Sequence, residues 1–172
     1  MELQSVRLAI RPFVPTDDKR MLEAMTCPDV HQMHSDGFLD IEAVRRYLRL
    51  LTDEYQSGMF RTLAITEREC STLIGAITLD RMPQFARVEL SYWIHPAQRN
   101  RGYATEAVTA MIHRCFQMAN CNRIQAMTAN PASARVLEKS GMRYEGTLRQ
   151  YVGINGVFRD MAMYAILRSD IR

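Results

Sequence analysis

Alternating runs and apolar stripes spaced three and four apart divide this chain from one end to the other. Val6-Arg-Leu-Ala-Ile-Arg11 alternates and predicts a first strand, stopped by Pro12 and Pro15. Thr16 with Asp17 and Asp18 marks a helix start. That helix carries Met21, Leu22, Ala24 and Met25 and ends before Pro28. Asp40 caps a second helix, whose apolar positions Ile41, Val44, Leu48, Leu51 and Tyr55 form one stripe. Arg45, Arg46 and Arg49 lie off the stripe, on a face read as solvated. Two strands follow, over 60–66 and 72–79, joined by a polar turn over 67–71. Gly75 weakens the second of these unless backbone or ligand comes close to it.

After a loop over 81–87, residues 88–94 read as a strand. Alternation there puts Glu89, Ser91 and Trp93 on one face and Val88, Leu90, Tyr92 and Ile94 on the other. The next helix faces the core with Ala107, Val108, Met111, Ile112, Cys115 and Phe116. A strand over 123–129 leads to Asn130-Pro131, the expected cap and first position of another helix, which stops at Gly141. The chain closes with a hairpin: 144–152, a turn at Asn155-Gly156, and 158–167. A strand order with a helical crossover at its centre predicts an α/β fold with mixed strand directions.

Composition narrows the picture without changing it. At 172 residues, 47% hydrophobic and 24% charged, the chain is read as one globular domain over 1–172. No apolar run approaches the ~20 residues that span a bilayer, and Met1-Glu2-Leu3-Gln4 does not begin a signal peptide. No membrane partner and a cytoplasmic location are expected. Cys27, Cys70, Cys115 and Cys121 show no C-x-x-C pair, so reduced thiols are expected. A net charge of +3 is too mild to argue for nucleic acid.

Chemistry concentrates in the loop Arg99-Asn-Arg-Gly-Tyr-Ala104. Gly102 can take positive φ. Ala104 and Thr105 open a helix whose first N–H groups lack internal partners. Together with two arginines this builds an anion site; the plainer reading is a basic surface turn. Glu89 has two readings as well: a side chain paired with an arginine such as Arg87, or a base set on a rigid strand. Asn130 is already explained as a cap. His31 and His34 lack a third ligand, so no metal is expected; the functional reading is a loop that lines a substrate, and the plainer one is a solvated loop.

The loop matches the Arg/Gln-x-x-Gly-x-Gly/Ala signature as Arg99-x-x-Gly102-x-Ala104, and so resembles the GNAT family of N-acetyltransferases. Asn130-Pro-Ala-Ser-Ala-Arg-Val-Leu-Glu-Lys-Ser-Gly-Met-Arg-Tyr-Glu-Gly146 resembles the second signature of one branch, the bacterial ribosomal-protein alanine acetyltransferases (RimJ/RimL-like). Val6–Pro12 and Arg159–Tyr164 resemble that branch too. The resemblance implies a mixed, mostly antiparallel sheet of about seven strands with about four helices. It also implies acetyl-CoA as cosubstrate. Backbone at Tyr92, Trp93 and Ile94 would hold the pantetheine, and Arg99, Asn100, Arg101, Gly102, Tyr103, Ala104 and Thr105 the pyrophosphate. Asn130 would bond the pantetheine, Ser133 would lie near the thiol, and Ala134 and Arg135 beside the cofactor. Some branch members carry a glutamate in the last hairpin; Gln150-Tyr-Val-Gly153 has none, which leaves Glu89, or a water near it, as the expected base. The implied acceptor is a protein N-terminal α-amino group. A small-amine acetyltransferase and a non-catalytic CoA-binding module are the alternatives. A monomer or homodimer fits either reading.

Overall fold

The local patterns become eight strands and, among the described residues, four α-helices. The computed structural model describes residues 2–27, 30, 40–57, 62–118, 120–154 and 156–171. In chain order these are β1 (Leu3–Gln4), β2 (Leu8–Arg11), α1 (Asp18–Met25), α2 (Ile41–Gln56), β3 (Thr62–Glu67), β4 (Leu73–Met82), β5 (Arg87–Ile94), α3 (Tyr103–Gln117), β6 (Arg123–Thr128), α4 (Pro131–Lys139), β7 (Arg143–Ile154) and β8 (Val157–Leu167). The strand order is β1-β2-β3-β4-β5-β6-β8-β7. This is the mixed α/β sheet expected, with one strand more. The chain divides into two compact units, residues 1–78 with 92–107 and residues 79–91 with 108–171.

In the first unit β1–β2, β2–β3 and β3–β4 pair antiparallel. The extra strand has a local cause. The expected strand at Val6 is broken by a tight turn, in which Ser5 donates its backbone N–H to the Leu8 carbonyl (2.9 Å). Residues 6 and 7 therefore form the tip of a small hairpin, with Leu3 opposite Ile10. Thr16 does not start the helix: Pro15–Asp17 is a 3₁₀ turn, and α1 begins at Asp18. The predicted cap of α2 forms, with Asp40 accepting from the Ala43 N–H at 2.7 Å. The stripe residues Val44, Leu48 and Leu51 are buried with Met21 and Met25 of α1 and with Ala64 and Ala76 of the strands. Arg46 and Arg49 are exposed as expected; Arg45 reaches Asp18 on α1 (2.9 Å). Gly75 is explained by close approach. A Cβ there would collide with the Trp93 carbonyl and lie 2.9 Å from Ile94 Cδ1.

In the second unit β5 and β6 run parallel, with α3 as the crossover that parallel pairing requires. β6–β8 and β7–β8 are antiparallel. Ala107 aside, which belongs to the first unit, the predicted stripe of α3 (Val108, Met111, Ile112, Cys115, Phe116) is buried in this one. Gly141 takes φ +87° after α4, the backbone form a glycine stop exploits.

Candidate functional site

In the first unit, β5 ends at Ile94 and the chain turns through a 3₁₀ segment, Pro96–Gln98, into the loop and α3. His95 caps that turn by accepting the Ala97 N–H on Nδ1 (3.2 Å). Burial first, then the charge of Arg20, holds His95 below the usual histidine range, so it acts here as a neutral acceptor. The loop makes its bend with two left-handed residues, Asn100 (φ +62°) and Gly102 (φ +79°). The helix opens at Tyr103, one residue before Ala104, and its first hydrogen bond runs from the Glu106 N–H to the Gly102 carbonyl (3.0 Å). The N–H groups of residues 103–105 therefore have no acceptor within the helix.

Side chains distant in sequence brace this loop. Arg7 donates its backbone N–H and its Nε to the two oxygens of Glu106, both at 2.7 Å, and the Ser5 hydroxyl donates to Oε1 of the same carboxylate (2.7 Å). Arg7 also donates to the Arg101 carbonyl (3.0 Å) and lies 4.6 Å from the Tyr103 ring centre. Tyr103 donates its hydroxyl to Glu67 (2.7 Å). Burial pushes Glu106 up, but the three donors outweigh it and hold the carboxyl below its ordinary value. The Tyr103 hydroxyl does the same for Glu67. Arg99 turns back to donate from Nε to the Ile94 carbonyl (3.2 Å), while Asn100, Arg101 and Gly102 face solvent. The donor set — helix-start N–H groups, a glycine without Cβ, two arginines — fits a pyrophosphate.

In the second unit the parallel ladder of β5 and β6 joins Arg87 to Arg123, Val88 to Ile124 and Glu89 to Gln125, and goes no further, although β6 stays paired with β8 to Thr128. The two strands part at Glu89. Its partner is not Arg87, whose guanidinium donates to the Met82 sulfur (2.8 Å) and sits over Phe85. Gln125 takes that place, donating from Nε2 to Glu89 Oε2 at 2.9 Å. Asn130 caps α4 as expected, its side-chain oxygen accepting from the Ala132 N–H (2.9 Å). Ser133 and Ala134 are half-buried on the first turn of α4, and Arg135 is exposed.

The loop residues 99–105 and the strand end 92–94 thus fall in the first unit, and Glu89, Asn130, Ser133, Ala134 and Arg135 in the second. His31 and His34 lie outside the described residues. Sequence reasoning missed Arg7, Glu67, Glu106 and Gln125. The only local signal was an arginine in the opening stretch that resembles the family.

An acetyltransferase (GNAT) domain model matches residues 7–143. The probable N-acetyltransferase YjcK of Bacillus subtilis is 31% identical over 183 aligned residues, 98% of each chain. A GNAT-family acetyltransferase from Bacillus anthracis, of known structure, matches with a TM-score of 0.87 at 26% identity, over 98% of this chain and 99% of that one. RimL, a ribosomal L7/L12 α-N-protein acetyltransferase solved in complex with coenzyme A, has the same fold: TM-score 0.80 at 16% identity, over 97% and 98% of the two chains. The chain belongs to the GNAT family, as an acetyl-CoA-dependent N-acetyltransferase.

Proposed function

We propose that this protein acetylates a protein N-terminal α-amino group by direct attack of the amine, with Glu89 as the base. The observation that carries the reading is the loop 99–104, bent at Asn100 and Gly102 and opening into α3 with N–H groups that have no helical acceptor. Those groups, with Arg99 and Arg101, would hold the pyrophosphate. Backbone at 92–94 and the Asn130 side chain would hold the pantetheine, with Ala134 and Arg135 beside the cofactor. When bound, acetyl-CoA supplies the acetyl group as an activated thioester.

The work left to side chains is small. A free α-amino group has a pKa of about 8, so a carboxylate at Glu89, directly or through one water, suffices to take its proton. Ser133 would donate a proton to the departing sulfur. An acyl-enzyme route is disfavoured at the buried thiols: burial pushes Cys115 up to about 12, far from a nucleophilic thiolate at neutral pH. A protein acceptor is supported by the branch resemblance and by RimL, named for α-N-protein acetylation.

The test is acetyl-CoA turnover against N-terminal peptides, polyamines and aminoglycosides. Peptides should be the preferred acceptors, and preference for a polyamine would overturn that acceptor. On the best acceptor Glu89→Gln should lower turnover about 10²-fold, with CoA affinity retained and part of the loss recovered at high pH. Ser133→Ala should lose less, with little recovery. A Glu89→Gln enzyme at full rate removes Glu89 from the chemistry.

A further inference from the structure

We propose that Gln125 is a positioning residue for acetyl transfer: its amide orients the Glu89 carboxylate toward the incoming amine, and Arg123 and Glu145 set the direction of that amide. The inference rests on the reading of Glu89 as the base.

Four side chains of the second unit form one chain of contacts. Gln125 donates to Glu89 Oε2 (2.9 Å) and accepts from Arg123 Nε on its own Oε1 (3.0 Å). Arg123 grips Glu145 with both terminal nitrogens, at 2.9 and 2.5 Å. Gln125 is only 5% exposed, so its amide cannot turn to water for a substitute partner. Its direction is unambiguous. Reversed, it would set an NH₂ against the Arg123 N–H and an oxygen against the Glu89 carboxylate, two repulsions in place of two hydrogen bonds. The far end is a two-point contact to a more exposed carboxylate. Arg123 holds Glu145 below the ordinary carboxylate value, as expected of a two-point charged contact.

The backbone is adapted to this arrangement. Glu89 and Gln125 are the last paired residues of the β5–β6 ladder, so the amide holds the carboxylate where the strands part. Glu89 is only half-buried there. At the other end Glu145 occupies a bulge in β7, between Tyr144 opposite Tyr164 and Gly146 opposite Met163, with Gly146 at φ +136°. Such a bulge re-aims a side chain, and here it delivers Glu145 to a strand two places away in the sheet. A purely structural ion pair between Arg123 and Glu145 would not need the buried amide to continue it to a half-exposed carboxylate.

Gln125→Met keeps the volume of the side chain and removes the donor. We would measure kcat, KM for acetyl-CoA and CoA affinity by calorimetry for Gln125→Met, Glu89→Gln and the double variant, using the acceptor that turns over fastest. Gln125→Met should lower kcat about tenfold, with KM for acetyl-CoA and CoA affinity unchanged. In the Glu89→Gln background the same change should cost nothing further, because the group it orients is gone. If Gln125→Met does not fold, Glu145→Gln loosens the anchor more gently; about a threefold kcat loss, absent in the Glu89→Gln background, is expected. Unchanged kcat in the folded Gln125 or Glu145 variant, with Glu89→Gln impaired, overturns the positioning role alone. Equal losses in both backgrounds overturn it too. Full activity of Glu89→Gln overturns the base and this inference together.

Discussion

At Asn130 an observed role can be separated from a proposed one. Its oxygen is committed to the Ala132 N–H, which accounts for its place before Pro131 without any ligand. Its proposed contact with the pantetheine is an additional role. Asn130→Ala should cost about 1 kcal/mol of stability, read from denaturant melts, and also weaken CoA binding. Asn130→Asp should preserve the melt and still weaken binding; unchanged CoA affinity in both leaves a cap and nothing more. Gly75 is the opposite kind of residue, with no chemistry at all. It is required because the β5 backbone at Trp93 comes too close for any side chain.

The loop and the start of α3 behave as an element held from outside itself. The turn is bent by Asn100 and Gly102, but Arg7 and Glu67 keep its geometry, through Glu106, the Arg101 carbonyl and Tyr103. Arg7→Ala should therefore weaken CoA binding without removing a proposed ligand group. Because Arg7 is half-exposed, the stability loss at pH 7 should be modest, about 1 kcal/mol. The sign with pH follows from Glu106, whose folded carboxyl is held below its ordinary value. Its ion pair stabilises above the unfolded carboxylate pKa of about 4.3 and fades as pH falls through the lower folded value. Urea melts of the wild type and Arg7→Ala should thus differ at pH 7 and converge in strong acid. A gap that persists there would assign the loss to packing against Tyr103.

At the scale of the whole molecule, thiol reactivity reports folding. Cys70 is exposed, Cys27 half-buried, and Cys115 and Cys121 buried. Burial pushes both of the latter thiols up, Cys115 to about 12. An aromatic disulfide reagent at pH 8 should modify Cys70 first, and Cys115 and Cys121 only at the rate of global unfolding. Rapid native modification of Cys115 would mean that α3 opens locally. No helix among the described residues is long and apolar enough to cross a membrane.

What the sequence determined by itself is local. Helix stripes, strand runs, the Asp40 and Asn130 caps and the Gly141 stop all depend on residues within a turn or two of one another, and these formed close to where the pattern put them. The loop was legible for the same reason: its arginines, glycine and helix start lie within six consecutive positions, Arg99 to Ala104. Tertiary structure decided the partners. Arg7 meets Glu106 across 99 positions, and Gln125 meets Glu89 across 36. Alternation says which face of a strand a residue occupies, but not which residue of which strand lies beside it. Val6–Arg11 alternated well enough to predict one strand, yet the hydrogen bonds of Ser5 made its first residues a turn. Glu89 could be read as a strand residue from sequence. That its neighbour is a buried amide, at the point where the parallel ladder ends, depended on the register of β5 against β6, which joins residues 36 positions apart and which neither strand's own pattern specifies.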